Sequence, residues 1–445
     1  MINLLVRHRD FRRLWIGETS SRLGTSVTTV VLPLVAVSVL HSSVLTISLL
    51  TAAAWLPWLV IGLAAGSVVD RLPRRRLMIC CDLISALLFG SVPVVGAMGR
   101  LTDVQLLVVA FAAGCASVLF TTAYSAYVVD LVSDRDDRAL ANGTLQGSAS
   151  TAQIAGPGLG GLLAQALGDA TALFADSLSF LISAGCLLLI RFVEPARIPE
   201  GPRRSLRHQV TDGLSFCLSD PLLRPLVLFG GTANLALIGY QSLLVVFLVR
   251  DVGLRPGLVG LVLALISVGG VLGALVANPL ARRIGSGRAL LLCKVGASPF
   301  ALLIPLTASG PRVGFLVLGG VGVGLGIVAG NIISTSFVQA YTPTHLYART
   351  TATTNVFNCG TIPLGAVVGG LLATSLGLHA ALWITTALLP VSALLLVASP
   401  LRHMRQLPER QVPTNRTLVP RTLASASNLP SRIVNLLDED ARDPN

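Results

Sequence analysis

Five ionisable residues sit inside otherwise apolar runs of this chain: Glu18, Arg22, Asp82, Asp176 and Lys294. In a lipid interior each costs about 2.5 kcal/mol or more near a helix centre, so each asks for a reason. Glu18 and Arg22 are four residues apart and share one helical face, where their charges partly neutralise each other. A carboxylate held in this way can take up a proton when a ligand draws it from its partner. That makes Glu18 with Arg22 the leading candidates for proton coupling, against the alternative of an interfacial ion pair. Asp176 is a further candidate, either as a proton relay or as a group tied to Ser179. Asp82 and Lys294 lie six residues beyond Arg76 and Arg288, at equivalent depth in two related segments. A structural reading suits both: hydrogen bonds from neighbouring helices for Asp82, and for Lys294 a stem that snorkels its ammonium to the interface.

A second set is polar but uncharged. Thr25, Thr29, Thr121, Tyr124, Ser125, Asn234, Gln241, Asn331, Thr335 and Gln339 can line a substrate cavity of mixed character. They can equally act as glue between helices, at about 0.6 kcal/mol per contact. Few aromatics and no cluster of acids suit a moderately hydrophobic small molecule better than a polycation or a sugar.

Other chemistries find no residues. Histidines 8, 41, 208, 345, 379 and 403 are scattered, and cysteines 80, 81, 115, 186, 217, 293 and 359 show no Cys-x-x-Cys spacing. No metal site, cofactor or catalytic triad is expected, and the chain reads as a transporter rather than an enzyme. No Gly-x4-Gly-Lys-Ser/Thr occurs, and the single lysine is Lys294, which argues against an ATP-driven pump. Gly156, Gly158 and Gly161 match Gly-x-Gly-x-x-Gly, but no strand precedes them, so dinucleotide binding is dismissed.

The elements that must position these residues are long apolar runs. Twelve can be counted, over 14–39, 45–69, 76–99, 103–129, 140–166, 170–191, 221–249, 257–281, 287–308, 312–339, 348–375 and 378–399. A helix needs about 20 apolar residues to cross the hydrocarbon core, with every backbone group satisfied within the segment. The composition, 53% hydrophobic and 12% charged with 43 glycines, fits an integral membrane protein and not a soluble one. The net charge of +12 is spread over short loops, with no basic face interleaved with aromatics, so no nucleic acid is expected as partner. Alternate assignment of the loops puts Arg7 to Arg13, Arg71 to Arg76, Arg135, Arg138, Arg203 to Arg207 and Arg282 to Arg288 on one side. The other side receives Arg100, Arg250, Arg255 and Arg312. The positive-inside rule then places both termini in the cytoplasm and the chain in the plasma membrane, multi-pass.

A Pro-rich, charged stretch from Glu194 to Arg204 divides the runs into six and six. The expected layout is an N-terminal six-helix bundle over 1–191, a cytoplasmic linker over 192–220, a C-terminal six-helix bundle over 221–399 and a disordered cytoplasmic tail over 400–445. An internal repeat supports the division. Gly160-Gly161-Leu162-Leu163-Ala164 returns 209 residues later as Gly369 to Ala373, and Leu167-Gly168 returns as Leu376-Gly377. Repeated halves around a central site suit alternating access.

Gly66-Ser67-Val68-Val69-Asp70-Arg71-Leu72-Pro73-Arg74-Arg75-Arg76 resembles the loop between helices 2 and 3 of the major facilitator superfamily, with Pro73 where the family has a second glycine. Gly143, Ala152, Gly156, Pro157, Gly160 and Gly161 resemble the superfamily's antiporter motif, with Ala152 the single departure. The opening Arg9 to Trp15 and Asp176 to Phe180 look like the bacterial branch of enterobactin-exporter-like and macrolide-efflux-like proteins. The resemblance implies an all-α fold of 12 transmembrane helices in two pseudo-symmetric six-helix bundles, the major facilitator fold. It also implies that Gly66, Asp70, Arg71, Arg74, Arg75 and Asp130 form a latch for the outward-facing state. Helices 1, 4, 7 and 10 would line the cavity, leaving helices 3 and 9, with Asp82 and Lys294, outside it. The implied activity is drug:proton antiport, an export of drug-like or siderophore-like molecules powered by the proton gradient, by a monomer in the lipid bilayer. A uniporter or importer of a metabolite, or a membrane enzyme, is the alternative.

Overall fold

Glycines in a left-handed conformation mark where the chain turns back. Gly99, Gly168, Gly285 and Gly377 have φ of 66°, 90°, 94° and 90°, a region that side-chain-bearing residues avoid. Gly168 and Gly377 are the partners in the sequence repeat, so its last element is a turn used twice. The structure, a computed structural model, describes residues 8–132, 134–192, 194, 215, 217–342 and 344–408. Among them every regular element is helical.

The first helices are α1 (Arg9–Ser38), α2 in two pieces (Val44–Val60 and Gly62–Val69), α3 (Arg74–Ala97) and α4 (Asp103–Leu131). They are followed by α5 (Arg135–Leu167) and α6 (Leu173–Leu189). Next come α7 (Leu223–Arg250) and α8 (Pro256–Ile284), and then α9, which starts as Ser286–Leu291. α9 continues as a π turn over Leu292–Gly296 and a 3-10 stretch over Ser298–Leu306. The series closes with α10 (Val313–Tyr341), α11 (Thr344–Leu376) and α12 (Leu378–Val397). Hydroxyl caps start two of them: Ser43 Oγ accepts from the Thr46 amide at 3.1 Å, and Thr102 Oγ1 from the Gln105 amide at 3.3 Å.

Among the described residues, nine helical stretches are long and apolar enough to cross a membrane, and Val44–Val60 and Leu173–Leu189 are apolar but shorter. α5 is long, but Asn142, Gln146, Ser148, Thr151 and Gln153 make its first half polar. Large apolar side chains such as Leu87, Leu188, Leu275 and Leu394 point outward on the helices, as a lipid-facing surface requires.

Packing repeats between the first six helices and the last six. α1 lies on α5 and α6, α2 on α4, and α3 on α4 and α6. In the same order α7 lies on α11 and α12, α8 on α10, and α9 on α10 and α12. Two seams join the halves, α2 against α11 and α5 against α8.

The expected tail needs one correction. Residues 400–408, assigned to a disordered segment, form a 3-10 turn at Pro400–His403 and carry the buried Leu401 and Leu407. The Gly287 amide donates to the Arg405 carbonyl at 3.1 Å, and the Leu407 amide to Ser286 Oγ at 2.9 Å. Two leucines and the paired backbone groups hold this stretch where composition alone pointed to disorder. Most of the expected linker, 195–214, and the rest of the tail, 409–445, lie outside the described residues.

Candidate functional site

One end of the bundle carries the α2–α3, α4–α5 and α8–α9 turns and most of the arginines; it is called here the Arg-rich end. There the helix does not run on from Asp70 to Arg74. α2 stops at Val69, and Pro73 precedes the first residue of α3. Asp70 and Arg74 still approach to 3.9 Å, and the Arg74 guanidinium donates to Asp130 at 2.8 Å. Arg74 is buried, so Asp130 at the end of α4 and Asp70 at the end of α2 supply its counter-charge. Arg75 does something else. Its guanidinium donates to the carbonyls of Leu187 at 2.8 Å and Leu188 at 2.7 Å, capping the C-terminal end of α6. Glu194 accepts from the Arg74 and Arg75 amides at 2.9 and 2.7 Å, an acid at the start of α3 that sequence reasoning missed. Its position just beyond α6 was the available signal. Arg71 is exposed, and Gly66 has nothing within 4 Å of a would-be Cβ.

The seam between α1 and α6 gathers the acids. Gly17 lies against Ser183 and Cys186, and Gly24 against Asp176 and Ser179, so the two helices approach closely. Asp176 is fully buried and accepts from the Thr28 hydroxyl and, at 3.2 Å, from Ser179. Glu18 is 5% exposed and accepts from Arg22 Nε at 2.5 Å, while the Arg22 side chain is 43% exposed. Tyr124 on α4 stands within electrostatic reach of both, and its buried hydroxyl has no hydrogen-bond partner among the described residues. Asp82 on α3 is 1% exposed beside Ser183, with one carboxylate oxygen unpartnered among the described residues. Glu18, Asp82 and Tyr124 thus belong to one buried polar group spanning α1, α3, α4 and α6.

The glycine run of α5 is a double seam. A Cβ built on Gly156 would lie 3.1 Å from the Ser26 Cα, and one on Gly160 would lie 2.9 Å from the Val27 carbonyl, both on α1. On the other face, a Cβ at Gly161 would lie 2.7 Å from the Cα of Gly260 on α8. Ala152 is buried, and Gly143 has open space around it. The sequence repeat lands on matching contacts. Would-be Cβ atoms of Gly365 and Gly369 lie 3.1 Å from the Leu235 and Gly239 Cα atoms of α7, and that of Gly370 lies 2.8 Å from the Ser48 Cβ of α2. These approaches, with Gln165 accepting from the Gly257 amide at 3.1 Å and Arg250 donating to the Ser42 carbonyl at 2.7 Å, draw the halves together toward the Arg-poor end.

The uncharged polar residues do not gather in one enclosed pocket. Thr25, Thr29, Ser125, Gln241, Thr335 and Gln339 are exposed. Thr29 and Ser125 donate to their own helices, to the Ser26 and Thr121 carbonyls at 2.7 and 2.8 Å. The half-buried Asn234 and the exposed Asn331 do line one cavity, of about 90 Å³ in the second half, together with Phe229, Lys294, Ser298 and Asn358. Lys294 therefore corrects two expectations. It does not snorkel outward, and α9 contributes to a polar cavity: Lys294 Nζ donates to Asn331 Oδ1 at 3.0 Å and stands 5.0 Å from the Phe229 ring centroid. The π turn at Leu292–Gly296 changes the angular position of the following residues, which no α-helical spacing can anticipate.

Comparison with known proteins agrees with the fold. A family profile described as transmembrane secretion effector, a class of the major facilitator superfamily, matches residues 5–428. The multidrug efflux pump Tap of Mycolicibacterium fortuitum is 30% identical over 380 residues, 82% of this chain and 90% of that protein. A bacterial homologue of the iron transporter ferroportin in an inward-facing state superposes with a TM-score of 0.72 at 15% identity, over 87% of this chain and 98% of that one. A bacterial homologue of the lysosomal transporter Spinster, also inward-facing, gives 0.67 at 16% identity, over 88% and 96%.

Proposed function

Since the chain belongs to the major facilitator superfamily and is a multi-pass membrane transporter, we propose that it exports a moderately hydrophobic small molecule in exchange for protons. The observation that carries this reading is the pairing of two packing-equivalent halves with close contacts toward one end only. Such an arrangement opens a central path to the opposite end and can close it by rocking one half on the other. With the Arg-rich end in the cytoplasm, and with 12 crossings, the state described here faces inward. The direction, export, follows the efflux pump that is 30% identical over most of this chain.

For coupling, the reading uses Glu18. Its carboxylate is buried, and Arg22 is its ion-pair partner. A substrate or a rocking motion that draws Arg22 away leaves Glu18 to be neutralised by a proton, which is how one site can exchange two cargoes. Asp176, held by two hydroxyls, is a second proton candidate, and the Asp70–Arg74–Asp130 cluster is a latch between states.

The test is an everted-vesicle accumulation assay with a panel of uncharged, cationic and anionic drugs, run with an imposed proton gradient and again with an uncoupler. Accumulation that follows the gradient in wild-type protein and disappears in Glu18→Gln supports proton-driven export. Gradient-independent equilibration of every compound would point to a uniporter, and pH-dependent transport retained in Glu18→Gln would remove that residue from coupling.

A further inference from the structure

We infer that the cavity around Lys294 is an anion subsite, which takes the carboxylate or a similarly compact anionic group of an amphiphilic substrate. The inference rests on the transport reading above and narrows its substrate class.

Three observations carry it. The first is an imbalance of charge. From Val252 to Pro408 the chain has no Asp or Glu, so none of the helices from α8 to α12 can offer Lys294 a counter-ion. Among the described residues no carboxylate lies within 4.0 Å of it. Eight residues into α9, about 12 Å from the Arg-rich end, Lys294 is half-buried and its partner Asn331 is exposed, so the ammonium stands where a ligand can reach it. Asn331 Oδ1 accepts one of its three protons, and the Phe229 ring face stabilises it partly; the remaining donors are served by no carboxylate.

The second observation is that neighbouring helices are shaped around this side chain. Gly330 and Gly326 of α10 leave the room: a Cβ on Gly330 would lie 2.8 Å from Lys294 Cγ, and one on Gly326 would meet Cys293 and Ala297. The π turn at Leu292–Gly296 is a rare backbone form found often at functional sites. A residue kept only for packing needs neither.

The third observation is the lining. Asn234, Asn331 and Asn358 converge on the same space as Lys294, and the amide group of each can donate a hydrogen bond to an anion, while Ser298 lines the space with its hydroxyl donated to the Val295 carbonyl. Asn358 points in, since its Oδ1 would stand 3.2 Å from a Cβ on Gly230. A volume of about 90 Å³ admits a carboxylate and a few carbons, with the ligand's apolar body left outside.

The experiment measures thermal stabilisation of the purified full chain by 4-phenylbutyrate and by its neutral amide, 4-phenylbutyramide. Wild-type protein should respond to the acid at a concentration about tenfold or more below that of the amide, as a charge-assisted hydrogen bond predicts. Lys294→Gln should erase that gap, and Lys294→Arg should keep most of it. Asn331→Asp, of nearly the same shape, places an internal carboxylate against the ammonium and should also erase it, which decides the matter if Lys294→Gln does not fold. Equal response to acid and amide in wild type, or a gap that persists in both Lys294→Gln and Asn331→Asp, would overturn the inference. Vesicle efflux of an uncharged drug without any preference for the acid sinks the subsite alone. Failure to move any compound vectorially sinks the export reading while leaving a measured acid preference in place.

Discussion

The two halves of this protein repeat each other's packing but not each other's charge. Gly156, Gly160 and Gly161 on α5 meet α1 and α8; Gly365, Gly369 and Gly370 on α11 meet α7 and α2 in the same way. Yet the first half buries Glu18, Asp82 and Asp176, and the second has a single lysine in a cavity. Position by position the contrast is sharper. Asp176 on α6 corresponds, by the 209-residue repeat, to Thr385 on α12, which is equally buried and donates to its own Ala381 carbonyl at 2.7 Å. Asp82 and Lys294, at equivalent depth, are opposite in sign. A rocking motion needs two matching seams, so small residues must appear twice. Charge inside a bilayer is costly, so it need not be repeated where the packing is.

The largest effect expected from this comparison is at the seams. Gly161→Leu and Gly370→Leu should each drive a side chain into the opposite half, an overpacking worth about 1–3 kcal/mol, and cut vesicle transport per molecule by roughly tenfold or more. Gly143→Leu, with open space around it, should stay close to wild type. A tolerated Gly370→Leu beside an inactive Gly161→Leu would break the equivalence of the seams. Next in size is the charge cluster at the Arg-rich end, which has no acid to match it in the second half. Asp130→Asn removes the charge 2.8 Å from the buried Arg74 but leaves Asp70 at 3.9 Å, and should lower stability by about 1–2 kcal/mol, read as a drop in melting temperature. Arg288→Ala, at an exposed position in the matching turn, should stay within about 0.5 kcal/mol. The smallest effect is a single hydroxyl. Thr28→Val removes one of two donors to Asp176 and should cost about 0.6 kcal/mol, up to about 1.7. Thr385→Val should cost less, because that hydroxyl bonds only its own helix; an equal or larger loss would mean that the second half uses its seam hydroxyl too.

Much of this was legible in the residues. The helix bounds fall within a few residues of the apolar runs for α4, α7, α8 and α12, because a span is set by length and hydropathy alone. The repeated Gly-Gly pairs and the terminal glycine at 168 and 377 were visible as a repeat, and their positions on matching seams and turns give the physical cause. The tie between Glu18 and Arg22 followed from spacing within one helix. What was not legible depends on other helices or on irregular backbone. Arg75 reads as one of a run of three arginines until the end of α6 arrives beneath it. Lys294 reads as a snorkelling cation until the π turn and the glycines of α10 open a cavity for it. Leu401 and Leu407 look like isolated apolar residues in a polar tail until the α8–α9 turn covers them.

The amino-acid sequence by itself determined that this chain lives in a membrane and that it is built twice from one plan. Those properties reside in composition, periodicity and short spacings. Only the tertiary structure decided which face of each helix meets which neighbour: that Thr28 serves Asp176, that Arg75 caps the end of α6, and that Lys294 looks into a cavity of asparagines. The reason lies in the helices, several of which are apolar nearly all round. With no polar stripe to set its rotation, such a helix is oriented by the small residues and buried hydrogen bonds of its neighbours, and these exist only once the chain is folded.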